Sequence, residues 1–265
     1  MNIKLGPAGI PLGCKGGILE AIKYVKKIGL QAIEVEFVRG VKMSNELAEK
    51  VGKIAKENEV AISVHAPYFI NLCNPEKIKD SMKRILDSCE RAQYMNANVV
   101  VFHPGYYGKY SSEECYEMVL GACDEMSKKC NDVLLGLETT GKHSQFGTLE
   151  EIMKICNKVK GCVPVIDFAH IYARNNGKID YEKIFSIVKK FKFLHTHFSG
   201  IEFSKKGERR HIPIKKSKPN HKELAKAILS QKWIEEIVMI SESPLLEKDA
   251  ILMKNYFEEL NYKFK

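Results

Sequence analysis

The chain has 265 residues, 45% of them hydrophobic, which is ordinary for a globular protein with an apolar core. No apolar stretch is long enough to cross a bilayer and the first residues, "MNIKLGPAGI", lack a signal-peptide pattern, so we expect a soluble, cytoplasmic protein without membrane contact. The formal net charge of +9 permits binding to nucleic acid or to other anionic substrates, although an excess of lysine is also common on surfaces with no such partner.

Short β-like runs alternate with amphipathic helical stretches from one end of the sequence to the other. Apolar residues recur at three- and four-residue spacing in the helical stretches, and the strands are mostly rich in Val and Ile, as in a parallel sheet covered by helices. In chain order, the predicted elements are strand 2–6, helix 18–29, strand 32–37, helix 45–58, strand 61–66, helix 75–95, strand 99–103, helix 111–130, strand 133–139, helix 148–159, strand 163–168, helix 181–191, strand 193–198, helix 221–231, strand 237–243 and helix 248–260.

The eight strand–helix units follow one another without a linker rich in Pro, Gly or Ser and without a break in composition. Their number and rhythm predict an α/β fold, a single (β/α)8 TIM barrel forming one domain over residues 1–265. A doubly wound open sheet is the alternative. The segment "GPAGIPLGCKGG" after the first strand lacks the G-x-G-x-x-G pattern, so the sequence does not indicate a dinucleotide site.

Polar side chains of metal-binding type stand where six successive predicted strands end, and strand ends are where a (β/α)8 barrel collects its chemistry. Imidazoles and carboxylates are the usual donors to zinc, manganese and iron(II). Taken singly, a strand-end histidine is more often structural, and a strand-end carboxylate often caps the next helix. Together, buried carboxylates facing one another at one rim are strongly unfavourable unless a cation neutralises them. The residues are His65, His103, Glu138, Asp167 with His170 just beyond it, His197 and Glu242.

These seven donors, with His211 in "RRHIPI" as an eighth, are more than a single ion needs, because a zinc ion takes three or four protein ligands. Two metal ions, or three, are therefore predicted. Clusters of this kind serve in-line displacement at phosphorus. Glu138 lies centrally in strand order and is the natural carboxylate to bridge two ions.

Seven short segments, in the order in which they occur, resemble the successive metal-binding motifs of the endonuclease IV family. The match covers essentially the whole chain, and the joint occurrence of the ordered motifs makes it specific. The resemblance implies a zinc-dependent deoxyribonuclease on a (β/α)8 scaffold, whose partner is double-stranded DNA with abasic or otherwise damaged sites; no protein partner is predicted. The segments are "SVHAPYFINL", "VVFHPG", "LETT", "VIDFAHIYA", "HTHFSG", "RRHIPI" and "SESP".

The resemblance also implies how the donors divide among zinc ions. The first ion would be held by His65, His103 and Glu138, the second by Glu138, Asp167, His197 and Glu242, and the third by His170 and His211. Glu138 and Glu242 would be the catalytic carboxylates. They would poise a metal-activated hydroxide to attack the phosphate 5′ to an abasic deoxyribose, leaving a 3′-hydroxyl.

Residues that enter the DNA duplex are implied in the same way, since enzymes that act on single nucleotides turn them out of the stack. Arg39 in "EFVRG" and the pair Tyr68 and Phe69 after His65 fall at positions similar to the inserted side chains of the family. The alternative for Tyr68 and Phe69 is simple packing on top of the barrel.

The chain departs from the family at one metal position. The family pattern before the last strand is Asp-Arg-His, whereas this chain reads Arg209-Arg210-His211. An arginine cannot bind a cation. Either Glu208 takes the place of the missing aspartate, or the third ion is weak or absent and Arg209 stabilises charge on the phosphate. We therefore expect two zinc ions with the third in question, at sites whose donors also tolerate Mn²⁺ or Fe²⁺.

Two other functions compete with this interpretation. A sugar isomerase or epimerase of the xylose-isomerase-like barrels also sets Glu, Asp, His and Glu at strand ends around one or two divalent ions. His65 and His103 would be superfluous there, and a basic chain suits a polyanion better than a neutral sugar. A non-catalytic binder of damaged DNA is the second rival, but both Glu138 and Glu242 are present.

Overall fold

An eight-stranded sheet in which every neighbouring pair is parallel surrounds the centre of the molecule. The computed structural model describes residues 1–130 and 132–264. Asn131 and Lys265 of the predicted domain lie outside the described residues, and the single-domain organisation stays a prediction. The strands are β1 (Asn2–Pro7), β2 (Ala32–Glu36), β3 (Ala61–His65), β4 (Val99–Phe102), β5 (Gly105–Tyr106), β6 (Leu134–Glu138), β7 (Gln145–Phe146), β8 (Cys162–Asp167), β9 (Phe193–Phe198), β10 (Gly200–Ser204), β11 (Gly207–Ile212) and β12 (Glu236–Ser241).

The order of strands around the sheet is β1-β12-β9-β8-β6-β4-β3-β2, and the two end strands meet. A parallel bridge between Ala8 and Glu34 joins the chain after β1 to β2. The backbones of β1 and β2 approach so closely at Gly6 that a Cβ there would overlap the carbonyl oxygen of Ala32, so only glycine fits at this position. The predicted (β/α)8 TIM barrel is confirmed, and the open-sheet alternative does not apply.

Helices cover the outside of the barrel, and each of the eight predicted helices is present within three residues of its expected bounds. A short extra helix, α6, was not predicted; it starts because the side chain of Asp167 accepts a hydrogen bond from the backbone N–H of His170. No helix in the described ranges combines the length and apolar character needed to cross a membrane. The helices are α1 (Ile18–Lys27), α2 (Asn45–Glu57), α3 (Ile78–Tyr94), α4 (Ser112–Ser127), α5 (Leu149–Lys158), α6 (Phe168–Arg174), α7 (Tyr181–Val188), α8 (His221–Leu229) and α9 (Glu247–Glu259).

Side chains alternate between the barrel interior and the surrounding helices along each strand. In β4, Val99 and Val101 pack with Val165 of β8 in a small interior cluster, whereas Val100 and Phe102 belong to the large core under the helices. The interior series of each strand ends at the rim formed by the carboxyl ends of the strands. Any polar residue that continues an interior series therefore points into the barrel mouth.

Two short antiparallel strand pairs extend this rim. Strands β5 and β7, from two different loops, form one pair, and the consecutive strands β10 and β11 form a hairpin. This hairpin belongs to the connection between β9 and α8, so it stands directly above the mouth. It carries His211, the eighth donor expected from the sequence.

Candidate metal centre

Glu138, the last residue of β6, is buried at the centre of the barrel mouth and contacts four imidazoles. Its Oε2 lies 2.8 Å from Nε2 of His103 and 3.2 Å from Nε2 of His65. Its Oε1 lies 3.1 Å from Nδ1 of His197 and 3.3 Å from Nδ1 of His170. One oxygen of Glu138 thus faces His65 and His103, and the other faces His197, so this carboxylate could serve cations on both sides.

The first donor group consists of His65, His103 and Glu138, whose ligand atoms lie within 4.8 Å of one another. Nδ1 of His65 lies 2.9 Å from the carbonyl oxygen of Ala66, so this nitrogen carries the proton and donates it to the backbone. When the ring is neutral, as a metal ligand must be, its lone pair is therefore on Nε2, which faces Glu138. Outer hydrogen bonds of this type are what orient imidazole ligands in metal sites.

The second donor group consists of Glu138, Asp167, His197 and Glu242, again within 4.8 Å. Oδ1 of Asp167 caps α6, but its buried Oδ2 accepts no hydrogen bond from the residues that the structure describes. Nδ1 of His197 lies 3.3 Å from Oε1 of Glu242. A buried carboxylate oxygen without a donor, among two further acids and an imidazole, fits a bound cation.

The third donor group joins His170 to the hairpin. Nε2 of His170 lies 3.1 Å from Nε2 of His211, while Nδ1 of His170 contacts the carbonyl oxygen of Thr139 at 2.9 Å. Asp167 and Glu242 complete a set of four ligand atoms within 4.8 Å. All eight donors expected from the sequence are therefore brought together at one mouth.

Glu208, not Arg209, faces this third group. Its Oε2 lies 3.6 Å from Nε2 of His170, and its Oε1 lies 3.9 Å from Nε2 of His211. The hairpin ladder pairs Glu202 with Arg210 and Phe203 with Glu208, so Arg209 is an extra residue in a β-bulge. In a regular strand, side chains three positions apart point to opposite faces. The bulge shifts this alternation by one residue, so Glu208 points to the same face as His211. Arg209 is exposed.

Charges within the site compensate one another strongly. Burial raises the pKa of Glu138, but the neighbouring imidazoles, that of His103 first, outweigh burial and hold this pKa well below its usual range. Burial lowers the pKa of His65, but the carboxylates of Glu36 and Glu138 overcome this effect and raise the pKa to about 10. Burial raises the pKa of Glu242 well above its usual range. The acids at this mouth thus require positive charge, which imidazolium groups or metal ions supply.

Three further titratable residues lie beside and beneath the donors: Glu34 and His195, which are buried in the middle of their strands, and the half-buried Glu36, which ends β2. Oε2 of Glu34 accepts a hydrogen bond from Oγ of Ser63 at 2.7 Å. The signal that reveals the two acids is alternation, since "AIEVEF" places Glu34 and Glu36 on the same interior face of β2. His195 stands two residues before His197 on β9 and shares its face in the same way.

The residues expected to enter DNA project from the loops above the rim. Tyr68 and Phe69 follow β3 and are 63% and 64% exposed, so they extend into solvent rather than pack on the barrel top. Arg39, in the loop after β2, is also exposed. Most exposed large apolar side chains of the described residues belong to the loops after β1 to β4; these are Ile10, Leu12, Val38, Tyr68, Phe69 and Tyr106.

A cavity of about 410 Å³ opens over the donors. Its wall includes His65, His103, Glu208 and Glu242, together with Tyr68 from the rim. A second, more apolar cavity of about 460 Å³ adjoins it beneath the loop after β2. The space over the donors can therefore receive one flat or compact group without movement of the strands.

Comparison with known sequences gives a consistent relationship. The sequence model of the xylose isomerase-like TIM barrel family matches residues 22–255. An uncharacterized protein of Methanocaldococcus jannaschii is 36% identical over 271 residues, which cover 96% of this chain and 97% of that protein. A probable endonuclease 4 of Mycoplasmopsis synoviae is 29% identical over 200 residues, which cover 72% of each chain.

Solved structures of two kinds share the fold. Endonuclease IV from Thermus thermophilus superposes with a TM-score of 0.72 at 19% identity, covering 96% of this chain and 99% of that one. A D-tagatose 3-epimerase-like protein superposes with a TM-score of 0.72 at 20% identity, with coverage of 96% and 98%. At these identities the likeness shows the fold alone, so the donors and the rim must distinguish between the chemistries.

Proposed function

Because this chain belongs to the xylose isomerase-like TIM barrel family, we propose that it is a metal-dependent phosphodiester hydrolase of the endonuclease IV type. Its substrate is double-stranded DNA, cut on the 5′ side of abasic or otherwise damaged nucleotides. The observation that carries this proposal is the position of Glu138 between His65 and His103 at Oε2 and His197 at Oε1. A site for a single ion has no use for donors on both sides of one carboxylate.

The donors fit zinc in number and type, since each group offers three or four nitrogen and oxygen atoms. Mn²⁺ and Fe²⁺ suit the same mixture of imidazoles and carboxylates. When bound, such ions supply Lewis acidity. They lower the pKa of water, so that it can lose a proton and attack near neutral pH, and they offset negative charge on the phosphate. The His65–His103 group, the Asp167–Glu242 group and the hairpin group would hold these ions.

The protein groups that surround the cavity have distinct tasks in this proposal. Glu138 holds the first two donor groups together through its two oxygens. Glu242 lies between His197 and His211, at 3.3 Å and 3.7 Å, and reaches the cavity wall. Oε2 of Glu242 is the carboxylate oxygen that would accept a proton from attacking water and later return it.

The third position is served by Glu208 in this proposal. The bulge at Arg209 supports it, because the bulge turns the glutamate toward His170 and His211 and the arginine away from them. Arg209 then belongs to the DNA-facing surface. Between residues 200 and 218, seven Lys and Arg residues accompany only two Glu, and these positive charges suit contacts with phosphates.

The opposite side of the mouth is apolar, which supports a substrate with exposed flat rings. In the strand order, β3 lies across the barrel from β9, so Tyr68 and Phe69 stand opposite the basic segment. A duplex laid across the mouth would meet positive charge on one side and aromatic side chains on the other. When a damaged nucleotide is turned out of the duplex it leaves a gap among the stacked bases, and Arg39 would contribute a cationic group to that gap.

A sugar epimerase or isomerase is the second candidate. The observation that favours it is the group of Glu138, Asp167, His197 and Glu242, which by itself can hold one divalent ion against the hydroxyls of a sugar. The D-tagatose 3-epimerase-like structure shares the fold. His65, His103 and the basic hairpin have no task in that reaction, so we place this candidate second.

The proposal is tested with a labelled DNA duplex containing one tetrahydrofuran abasic analogue, beside the same duplex without it. The purified chain, supplied with Zn²⁺ or Mn²⁺, is expected to cut only the damaged strand and to leave a 3′-hydroxyl that a polymerase extends. A parallel incubation with a ketohexose tests epimerisation. No incision with either ion would overturn the proposal; sugar conversion would then favour the second candidate, and DNA binding without incision would indicate a non-catalytic binder.

A further inference from the structure

Two buried cysteines from different segments face each other in the helical layer around the barrel. Cys89 lies in the second half of α3, and Cys130 follows the end of α4. Both are free thiols, their Sγ atoms lie 2.8 Å apart, and each residue is 1% exposed. The two residues are 41 positions apart in the chain, so their contact joins two elements that are separate in sequence.

Hydrogen bonds of the backbone hold the segment of Cys130 against α3. The N–H of Cys130 donates to the carbonyl oxygen of Met126 at 3.0 Å, which continues the last turn of α4. The carbonyl oxygen of Cys130 accepts a hydrogen bond from Nε2 of Gln93 at 3.0 Å. Gln93 is four residues after Cys89 and so lies on the same face of α3. The two sulfurs therefore meet because the backbone at Cys130 is tied to that face.

The thiol pair lies outside the candidate metal centre. Among the described residues, several groups of His, Asp and Glu have ligand atoms close enough to share one ion, and none of these groups contains a cysteine. A structural zinc ion needs four ligands, and this pair offers two. Neither Cys89 nor Cys130 lines the cavity over the donors. The chemistry open to two thiols in contact is the formation of a bond between their sulfurs.

We propose that Cys89 and Cys130 are a site of oxidative modification, at which a peroxide converts the two thiols into a disulfide that links α3 to the end of α4 and stabilises the fold. The thiolate of Cys130 attacks one peroxide oxygen, and the O–O bond breaks to give a sulfenic acid and hydroxide, which takes up the proton lost by Cys130. The thiolate of Cys89 then attacks this sulfur, and the S–O bond breaks. The departing hydroxide takes up the proton of Cys89. The two cysteines are oxidised, and one hydrogen peroxide is reduced to two molecules of water.

Cys130 is suited to the first step and Cys89 to the second. The neighbouring thiol of Cys89 lowers the pKa of Cys130, whereas the contact with Cys130, together with burial, raises the pKa of Cys89. Lys129 and Asp132, near Cys130, are exposed, so a small oxidant needs only a local opening of this segment to reach the sulfur. The sulfurs of a disulfide are about 2.05 Å apart, so the pair would close by less than about 1 Å.

The direct test uses the wild-type chain, reduced and then incubated with a small molar excess of hydrogen peroxide. The protein is denatured, its remaining thiols are alkylated, and it is digested with trypsin without a reductant. Mass spectrometry is expected to find peptide 85–91 joined through Cys89 to peptide 130–142 through Cys130. Recovery of both cysteines alkylated, or of Cys130 as sulfinic acid with Cys89 unlinked, would overturn the proposal.

A thermal unfolding measurement tests the stabilising effect of the link. The oxidised chain should unfold about 5–10 °C above the reduced chain, because the link restricts the unfolded chain while the sulfurs barely move in the folded one. Cys89→Ala, treated in the same way, should show no rise. An unchanged or lower midpoint in linked wild-type protein would overturn the stabilising role.

A second pair of buried thiols provides the matched control. Cys73 and Cys115 also contact each other through a hydrogen bond. Cys73→Ala removes a buried thiol of the same kind and should leave the yield of the Cys89–Cys130 link unchanged, whereas loss of the link in this variant would contradict a reaction confined to the one pair. The peptide measurement is made on wild-type protein, so a variant that fails to fold does not affect it. Neither Cys89 nor Cys130 belongs to the eight donors, so the result is independent of the proposed function.

Discussion

Oε2 of Glu138 and Nε2 of His103 lie 2.8 Å apart at the ends of two neighbouring strands. Strands β4 and β6 pair in parallel, so the residues at their carboxyl ends arrive at the same rim. His103 continues the interior series of Val99 and Val101. The alternation of β4 alone is therefore enough to carry an imidazole from the end of an apolar strand to the buried carboxylate.

Replacement of that carboxylate gives the first prediction. Glu138→Gln keeps the volume of the side chain but removes the charge that faces His65 and His103, so metal binding and incision should both fail. We expect the rate of DNA incision to fall by at least about 100-fold. Mutation of a residue that only hydrogen-bonds to a metal ligand already lowers activity by up to about 100-fold, and Glu138 is itself an expected ligand. Metal content by atomic absorption should fall in the same sample. A variant with the thermal unfolding midpoint and turnover of wild type would remove Glu138 from the mechanism.

The hairpin bulge gives a second prediction, which compares two neighbouring residues. Glu208→Gln should lower the metal content by one ion or weaken that ion about 100-fold, because its carboxylate is the acid that faces His170 and His211 from the hairpin. Arg209→Gln is the matched control and should leave the number of bound ions unchanged. Metal titration of both variants measures this. If Arg209→Gln lost an ion and Glu208→Gln did not, the assignment of the bulge would be wrong.

The exposed aromatic pair gives a third prediction. Phe69→Ala should lower the incision efficiency on a duplex with one abasic site by about 10-fold, since stacking of a base on an aromatic side chain contributes ~1–3 kcal/mol. The metal content should not change, because Phe69 contacts none of the donors. Tyr94→Ala, at the end of α3 and 37% exposed, is the control and should cut at the wild-type rate. Equal effects of the two variants would argue against a specific role for Phe69.

A buried histidine outside the site gives a fourth prediction, on stability. Burial lowers the pKa of His221 from 6.5 to about 4, partly offset by its hydrogen bond to the carbonyl oxygen of Ser199. Because the folded pKa is depressed, protonation favours the unfolded chain. The stability due to the neutral ring is fully present above pH 6.5 and is lost as the pH falls toward 4.

The shift corresponds to at most about 3 kcal/mol of unfolding free energy. His221→Gln keeps a donor for Ser199 but cannot be protonated, so this part of the acid destabilisation should disappear. Urea unfolding at pH 7 and pH 4.5 gives the loss of unfolding free energy between the two pH values, and this loss should be smaller in the variant than in wild type. An equal loss in the two proteins would show that His221 does not titrate in this range.

The fold and the convergence of the eight expected donors at one mouth were predictable because each depends on a local pattern. Apolar strands alternate with amphipathic helices, and a polar residue such as His103 or Asp167 at the end of an apolar run has only the rim to occupy. Closure of the barrel then makes the ends converge whatever the exact bounds of the strands. The family relationship inferred from the ordered motifs is likewise confirmed.

The residues that were missed depend on relations that cannot be deduced from single positions. Glu34 and His195 lie in the middle of their strands, and only the shape of the barrel interior shows that they meet. Glu208 was one of two alternatives in the sequence, and its position facing His170 and His211 depends on a bulge, because a one-residue shift in a hairpin is set by pairing, not by composition. The short helix α6 was hidden because Asp167 serves as its cap while it also belongs to a donor group.

The expected donors and the exposed apolar side chains above them belong to different parts of the fold. The donors stand on or next to β-strands and on one hairpin, whereas the aromatic and aliphatic groups above them belong to the loops after β1 to β4. Exchange of these loops can therefore change which substrate is bound, while the donor side chains at the barrel mouth stay in place.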